Sequence, residues 1–138
     1  MNILFLCTGN SCRSQMAEGL GRYYYGDKYT FFSAGVEKSV LNPRAKKVMD
    51  ELGIDIQGQY SKHIDELKDV NLNTIVTVCS HANETCPVVP GSNIIHVGFD
   101  DPPELTKDMT NEEEILEVYR RVRDEIKSFI LKLETYLY

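Results

Sequence analysis

The stretch ILFLCTGNSCRSQMAEG, residues 3–19, decides the fold because it joins an apolar run, a short polar loop and a helix. The apolar run of residues 2–7 ends at a glycine-containing turn, as in strands that are buried on both faces of a parallel sheet. From Arg13 to about Tyr24, apolar residues recur at helical spacing. The stretch therefore predicts a strand that ends at Cys7 and a helix that begins at Arg13.

Strands and helices alternate along the rest of the chain. Further strands are predicted at residues 29–35, 73–79 and 92–99, and helices at residues 43–52, 64–69 and 115–137. Asn42 is a favoured N-cap, Pro43 suits the first helical position, and Gly53 can end the helix that they start. Apolar residues of the last segment step by three or four, which predicts one long amphipathic helix. Residues 99–112 are predicted to be irregular.

This alternation predicts an α/β fold with three layers, in which a four-stranded parallel sheet is flanked by helices. A length of 138 residues is near the commonest domain size, so residues 1–138 are predicted to form a single domain. Ligands of such sheets bind beyond the carboxyl ends of the strands. Because Cys7, Cys79 and the segment GFDDPP all follow predicted strands, we expect them to meet at one edge of the sheet.

The composition restricts the possible classes of function. A net charge of -6 argues against a nucleic-acid partner, since a phosphate backbone requires a basic face. The first residues lack the basic region and the long apolar core of a signal peptide, and no membrane-spanning apolar run is present in the sequence. We therefore expect a cytoplasmic protein with no membrane partner. In a reducing compartment, its four cysteines point to catalysis or metal binding rather than to structural disulfides.

Cys7 and Arg13 are separated by five residues and followed by Ser14, in the pattern C-x5-R-S. A short loop that leads from a strand into a helix turns its backbone N–H groups inward and forms a nest for a tetrahedral oxyanion. Arg13 adds a planar guanidinium that can bind two oxygens at once. The predicted oxyanion-binding loop consists of Thr8, Gly9, Asn10, Ser11, Cys12 and Arg13, with Gly9 supplying backbone conformations that other residues avoid.

Cys7 is the predicted nucleophile of this loop. The inward N–H groups and the helix dipole favour a thiolate there, and the Ser14 hydroxyl can donate a hydrogen bond to the sulfur. A nucleophile that faces a bound oxyanion is what displacement at phosphorus or arsenic requires. The alternative is that Cys7 is a small buried hydrophobic residue, which would leave Arg13 unexplained. For Cys12 we expect a packing role.

Cys79 and Cys86 flank the segment SHANET. They are incidental thiols, zinc ligands together with His81 and His96, or a redox pair. Six residues separate the two cysteines, whereas paired cysteines of structural zinc sites are usually separated by about two to four. We therefore predict no metal site, and the sequence contains no motif that requires a cofactor.

Asp100 and Asp101 lie in GFDDPP, directly after the last predicted strand. An aspartate before a proline is common in turns, so the segment can be a simple turn. Its position at the carboxyl end of a strand favours a catalytic carboxylate instead. That carboxylate would protonate an oxygen leaving the bound oxyanion.

The string LFLCTGNSCRSQMAEG resembles the low-molecular-weight protein tyrosine phosphatase superfamily, and more closely the thioredoxin-coupled arsenate reductases built on that fold. The resemblance extends over nearly the whole chain, through SAG, LNP, VTVCSHANETCP, GFDDPP and RVRDEI. It implies reduction of arsenate to arsenite in arsenic detoxification, with thioredoxin as the reductant.

The resemblance also implies residue roles. Cys7 would attack arsenate, and Cys79 would then attack Cys7, releasing arsenite and leaving a Cys7–Cys79 disulfide. Cys86 would move the bond to Cys79–Cys86, where thioredoxin reduces it. Asp101, which directly precedes the proline, would be the general acid rather than Asp100.

Some arsenate reductases of this type bind potassium beside the anion loop. The positions that match their ligands are Asn10, Glu18, Ser33 and a fourth position where this chain has Lys62 instead of an aspartate. We expect the Lys62 ammonium to replace the cation and to pair with Glu18. Potassium binding is therefore not expected.

Two other functions remain open. The first is a phosphatase of the same fold, acting on phosphotyrosine or a small phosphate ester, which needs Cys7, Arg13 and Asp101 but neither Cys79 nor Cys86. The second is a non-enzymatic thiol sensor or zinc-binding module.

Overall fold

The computed structural model describes residues 1–78 and 93–137 of the chain. The strands in this part are β1 (Asn2–Cys7), β2 (Thr30–Gly35), β3 (Thr74–Thr77) and β4 (Asn93–His96). They form one parallel sheet in the order β2–β1–β3–β4. The predicted four-stranded parallel sheet is confirmed, and the strand that ends at Cys7 lies at its centre.

The helices surround the sheet. They are α1 (Arg13–Tyr25), α2 (Pro43–Asp50), α3 (Pro102–Thr106), α4 (Glu112–Leu131) and α5 (Leu133–Leu137), with a short 3-10 helix at Ile64–Leu67. Helices α1, α2 and α4 pack against one another. The 3-10 helix contributes Leu67 to a second apolar cluster with Leu4 and Leu6. The chain therefore covers both faces of the sheet.

Strand β1 is apolar throughout because both of its faces are buried. Every side chain from Ile3 to Leu6 is fully shielded from solvent. Ile3 and Phe5 belong to the larger apolar core, whereas Leu4 and Leu6 belong to the smaller one. A strand buried on both faces has no polar alternation, which is why the sequence shows a continuous run.

The ends of α2 follow the predicted chemistry. The Asn42 side chain accepts hydrogen bonds from the backbone N–H groups of Arg44 and Ala45, at 2.8 and 3.2 Å, and Pro43 occupies the first helical position. Gly53 adopts a φ of 75°, a left-handed conformation that suits glycine after a helix. The predicted start and stop signals are thus confirmed.

Two segments differ from the sequence-based expectation. The predicted single C-terminal helix is interrupted at Lys132, whose N–H donates to the carbonyl of Phe129 in a tighter turn. Leu133, which follows the break, is fully buried. The apolar spacing therefore continues across Lys132, and the sequence pattern gives no sign of the interruption. Residues 99–112, expected to be irregular, contain α3, which Pro102 starts because its fixed φ suits the first turn.

Within residues 1–78 and 93–137, no helix combines the length and the apolar character needed to cross a bilayer.

Candidate active site

The loop of residues 8–12 connects the central strand β1 to α1. Its carbonyl oxygens accept hydrogen bonds from residues that lie outside the loop. Each of the five carbonyl oxygens accepts a hydrogen bond at 2.9 or 3.0 Å. Taken in chain order, the donors are Glu37 N, Ser61 Oγ, Gln15 Nε2, Asn42 N and Met16 N. Donors from four other parts of the chain therefore fix the path of this loop.

Outward carbonyls turn the N–H groups of the loop inward. Across a trans peptide, the carbonyl and the following N–H point in opposite directions. The N–H groups of residues 9–13 consequently face the concave side of the loop, at the N-terminus of α1, where the helix dipole adds partial positive charge. This arrangement is typical of an oxyanion nest, and anion binding by the loop stays a prediction.

Asn10, and not Gly9, has the unusual backbone conformation of this loop. Among the described residues that are not glycine, Asn10 alone has a positive φ, of 49°. The expected role of Gly9 is therefore wrong, because Gly9 lies outside the left-handed region. Asparagine tolerates this region better than most residues, so Asn10 itself was the available signal.

Gly35, at the end of β2, lets the loop approach the sheet closely. A Cβ atom built on Gly35 would lie 2.5 Å from the Thr8 carbonyl oxygen and 2.9 Å from the Asn10 nitrogen. Both contacts are with backbone and cannot be relieved by a rotamer change. The glycine of the SAG segment therefore allows the anion loop to sit where it does.

Ser14 contacts the sulfur of Cys7. The Ser14 Oγ lies 2.8 Å from Cys7 Sγ, and both residues are buried. Asn10 Nδ2 donates to the same Ser14 oxygen at 2.8 Å. Asn10 uses one acceptor position of this oxygen and leaves the hydroxyl hydrogen available to the sulfur. A thiolate can only accept, so Ser14 would donate to a Cys7 thiolate and stabilise it.

Arg13 joins the anion loop to the segment that carries Asp101. It is almost fully buried, and its Nη1 donates to the Phe99 carbonyl oxygen at 3.2 Å. Its Nη2 lies 3.7 Å from Asp101 Oδ2. The guanidinium and the carboxylate thus lie close together in the wall of the site.

Cys7, Arg13 and Asp101 line one cavity of about 250 Å³. This volume equals that of about eight water molecules at roughly 30 Å³ each, enough for a tetrahedral oxyanion with some water. The lining residues are Cys7, Thr8, Gly9, Ser11, Cys12, Arg13, Asp101 and Pro103. The structure therefore brings the predicted nucleophile, anion loop and acid together.

The two adjacent aspartates have different surroundings. Asp101 lines the cavity, and about one third of its side chain is exposed. Asp100 points to a different partner, Arg121 of α4, whose Nη2 lies 3.2 Å from its carboxylate. Of the two aspartates, Asp101 is therefore the one that lines the cavity, and its role as the acid stays a prediction.

Cys12 lies in the wall of the cavity and packs into the apolar core. It is buried, and desolvation raises the pKa of its thiol well above the usual value. The nearby negative charges of Asp101 and Cys7 raise this pKa further. Cys12 belongs to the larger apolar core, in agreement with the expected packing role.

Lys62 occupies the expected cation position, but its contacts differ from the prediction. Its Nζ donates to the carbonyl oxygens of Ser33 and Tyr60, at 3.0 and 3.2 Å. Glu18 instead forms its close ion pair with Arg22, at 2.8 Å, because the i and i+4 positions of α1 face each other. Burial lowers the pKa of Lys62, and the charge of Glu18 opposes this effect at longer range. With the ammonium on these carbonyls, the residues do not fit a metal cation.

Cys79 and Cys86 lie outside the described residues, as does most of the segment around them. Their predicted pairing and their distance from Cys7 therefore stay predictions.

The sequence analysis did not predict the hydrogen bonds of two glutamines, the buried Gln15 and the half-buried Gln59. Gln15 is fully buried beside Asn10, and Gln59 donates to Gln15 at 2.8 Å. A polar residue directly after C-x5-R-S was a signal for Gln15. No local pattern indicates Gln59, since its partner lies 44 residues away.

The chain is similar in sequence and in structure to proteins that are named arsenate reductases. An arsenate reductase of Halalkalibacterium halodurans is 50% identical over 90% of this chain and 88% of its own length. A solved structure of an arsenate reductase in the phosphate binding state superimposes with a TM-score of 0.78, at 29% identity, covering 99% of this chain and 98% of the other.

Two further solved structures represent the competing activities. A low molecular weight protein tyrosine phosphatase of T. tengcongensis has a TM-score of 0.72 at 25% identity, covering 99% of both chains. A thioredoxin-dependent arsenate reductase of Corynebacterium glutamicum has a TM-score of 0.60 at 25% identity, covering 95% of this chain and 62% of the other.

A sequence profile of one family matches residues 2–137. The profile spans the sheet, the anion loop and the segment of Asp101. The chain belongs to the low molecular weight phosphotyrosine protein phosphatase family.

Proposed function

We propose that this protein is an arsenate reductase in which Cys7 attacks arsenate and Cys79 and Cys86 carry the resulting disulfide to thioredoxin. The observation that carries the proposal is a nucleophile site, Cys7 with Ser14, Arg13 and Asp101, in a chain 50% identical to an arsenate reductase. Under this proposal the protein acts in the cytoplasm in arsenic detoxification.

The first step is a displacement at arsenic. The inward N–H groups of the loop and the Arg13 guanidinium bind the arsenate oxygens, and Ser14 holds the Cys7 thiolate below them. A sulfur–arsenic bond forms and an arsenic–oxygen bond breaks. The departing oxygen takes a proton from Asp101 and leaves as water, while arsenic remains pentavalent.

The second step is the reduction. The Cys79 thiolate attacks the Cys7 sulfur, so that a disulfide forms and the sulfur–arsenic bond breaks. The electron pair of that bond stays on arsenic, which becomes trivalent and leaves as arsenite. Two thiols of the protein thereby supply the two electrons.

The last steps restore the enzyme. Cys86 attacks Cys79 and releases Cys7 as a thiolate, leaving a Cys79–Cys86 disulfide. The dithiol of thioredoxin exchanges with this bond and is itself oxidised. A thioredoxin-dependent arsenate reductase among the structural relatives supports this choice of reductant.

A phosphatase activity is the second candidate, since Cys7, Arg13 and Asp101 would also serve phosphoryl transfer. Phosphotyrosine needs an apolar wall for its ring. Among the described residues that line the cavity none is aromatic, and Phe99 packs instead against Phe129, at 6.2 Å between ring centroids. This observation favours a small oxyanion over an aryl phosphate.

A single turnover tests the proposal. Fully reduced protein is mixed with one equivalent of arsenate without reductant, and free thiols and arsenite are measured. We expect loss of two of the four thiols, about one arsenite per protein, and a Cys79–Cys86 disulfide in the peptide map. Survival of all four thiols without arsenite would contradict the proposal and leave the phosphatase.

Two variants separate the steps. Cys86→Ser should still release arsenite once and stop with a Cys7–Cys79 disulfide. Cys79→Ser should release none, because the electrons cannot reach arsenic without the second thiol. Arsenite release from Cys79→Ser would require a different order of attack.

A further inference from the structure

A chain of side-chain amides runs from the surface to the back of the anion loop. Gln59 Nε2 donates to Gln15 Oε1 at 2.8 Å. Gln15 Nε2 donates to Asn10 Oδ1 at 3.0 Å, and Asn10 Nδ2 donates to Ser14 Oγ at 2.8 Å. Gln15, Asn10 and Ser14 are fully buried. The chain ends at Cys7 Sγ, 2.8 Å from Ser14 Oγ.

A backbone group fixes the orientation of each amide. Gln59 Nε2 also donates to the Gln15 backbone carbonyl at 2.9 Å. Gln15 Nε2 also donates to the carbonyls of Asn10 and Tyr60, both at 2.9 Å. Asn10 Oδ1 accepts from the backbone N–H of Lys62 at 2.9 Å. Backbone carbonyls only accept and backbone N–H groups only donate, so flipping any of the three amides would set like groups against each other.

Because the amide orientations are fixed, the hydrogen bonds from Gln59 through Gln15 and Asn10 to Ser14 all run in the same direction. At each step the amide nitrogen of one residue donates to the side-chain oxygen of the next residue toward Cys7. The Ser14 oxygen therefore receives a hydrogen from Asn10 and keeps its own hydrogen available for the sulfur, 2.8 Å away. A Cys7 thiolate can only accept, so in that state Ser14 is the donor. A reversed Asn10 would accept that hydrogen instead and leave the thiolate without its donor.

Gln15 also holds the backbone of Asn10. One amide nitrogen bonds both the backbone and the side-chain oxygen of a residue with φ of 49°. This contact stabilises a conformation that is costly outside glycine. Leucine or methionine would fill the same buried space in α1, but neither has an N–H group.

We propose that Gln15 and, through it, Gln59 are positioning residues that orient Asn10 and Ser14 so that Ser14 donates its hydrogen to the Cys7 thiolate. This inference rests on the proposed role of Cys7 as nucleophile. It adds two residues, from α1 and from the segment after Gly58, to the machinery of the site. The two act in series, since the Gln59 side chain donates to Gln15 and Gln15 donates to Asn10.

Gln59 is the outermost amide of this hydrogen-bonded series, so a substitution there perturbs the series far from Cys7. It is half-buried and lines an open cavity of about 370 Å³ together with Arg22 and Tyr23. Gln59→Met removes the donor to Gln15 without touching the anion loop. Gln15→Met removes the contacts to Asn10 and keeps an unbranched side chain of similar length. Gln57→Met is the matched control, because Gln57 is exposed nearby.

The test is the rate at which iodoacetamide alkylates Cys7, followed by mass spectrometry of its peptide across a range of pH. This readout needs no arsenate, so it stays valid even if the reductase proposal fails. At about pH 6 we expect Gln15→Met to slow alkylation about 5- to 10-fold and Gln59→Met about 2- to 3-fold. Their pH profiles should move to higher pH, while Gln57→Met matches the wild type.

The double variant distinguishes a series from two separate effects. If the residues act in series, Gln15→Met with Gln59→Met alkylates as slowly as Gln15→Met alone. Multiplied effects, or a wild-type pH profile in folded Gln15→Met and Gln59→Met, would overturn the proposal. Inorganic phosphate should still protect Cys7 of Gln59→Met at wild-type concentrations. Loss of that protection would instead indicate a deformed loop and would also overturn it.

Discussion

Arg13 and Phe99 are joined by a hydrogen bond of 3.2 Å, from the buried guanidinium to a backbone carbonyl. This contact ties the anion loop to the segment that carries Asp101, although 86 residues separate the two in the chain. The residue proposed to bind the anion is therefore bonded to the segment of the proposed acid. A substitution on either side of this contact is expected to affect both binding and proton transfer.

Asp101→Asn should lower the turnover of arsenate reduction, because the amide cannot supply a proton to the departing oxygen. General acids contribute about 10²- to 10⁴-fold, so a loss within that range is expected in kcat. Asp100→Asn is the control, since Asp100 pairs with Arg121 outside the cavity. Equal losses in both variants would show that the segment, and not one carboxylate, matters.

Ser14→Ala should slow the reaction of Cys7 with both arsenate and iodoacetamide. Hydrogen bonds to charged groups contribute about 1.5–3 kcal/mol, which corresponds to about 10- to 150-fold in rate at neutral pH. The loss should shrink at alkaline pH, where the thiolate forms without the donor. A loss that is independent of pH would argue against this hydrogen bond as the cause.

Gly35→Ala should displace the anion loop. Its Cβ would meet the backbone of Thr8 at 2.5 Å, and such overpacking costs about 1–3 kcal/mol. We expect lower stability in urea and weaker protection of Cys7 by phosphate. Gly58→Ala is the control, because no atom lies within 4 Å of a Cβ placed there. Unchanged phosphate protection in Gly35→Ala would contradict this account.

Potassium should not activate the enzyme. The Lys62 ammonium already donates to the carbonyls of Ser33 and Tyr60. Arsenate reduction measured at equal ionic strength in potassium and sodium salts should give the same kcat/KM. A clear rise with potassium alone would show that a cation site exists beside Lys62.

Glu51→Gln should remove a pH-dependent contribution to stability. Arg120, and then Arg123, lower the pKa of Glu51 in the folded protein. The ionised carboxylate therefore stabilises the fold at pH values above the pKa of the unfolded protein, which is about 4.3. This stabilisation is lost as the pH falls through the lower pKa of the folded protein. Because the pair is partly exposed, we expect about 0.5–1 kcal/mol in the free energy of unfolding at pH 7.

Urea unfolding at pH 7 and at about pH 3 measures this contribution. The difference between wild type and Glu51→Gln should shrink at the lower pH. Asp27→Asn, at an exposed position, is the control. A difference that grows in acid would contradict the assigned direction.

The sequence alone determined the features that depend on neighbours in the chain. The apolar run of β1, the N-cap at Asn42 and the glycine at position 53 each act within one turn, so local patterns identify them. The C-x5-R spacing likewise defines the anion loop, because strand, loop and helix follow one another directly.

The tertiary structure decided what depends on distant partners. Ser14, which contacts the sulfur of Cys7, accepts a hydrogen bond from Asn10, and Asn10 is held in turn by Gln15 and the backbone of Lys62. The partner of Glu18 proved to be Arg22, because Lys62 is drawn to fixed carbonyls. Hydrogen-bond direction and ion-pair choice depend on positions that only the packed chain brings within 3 to 4 Å.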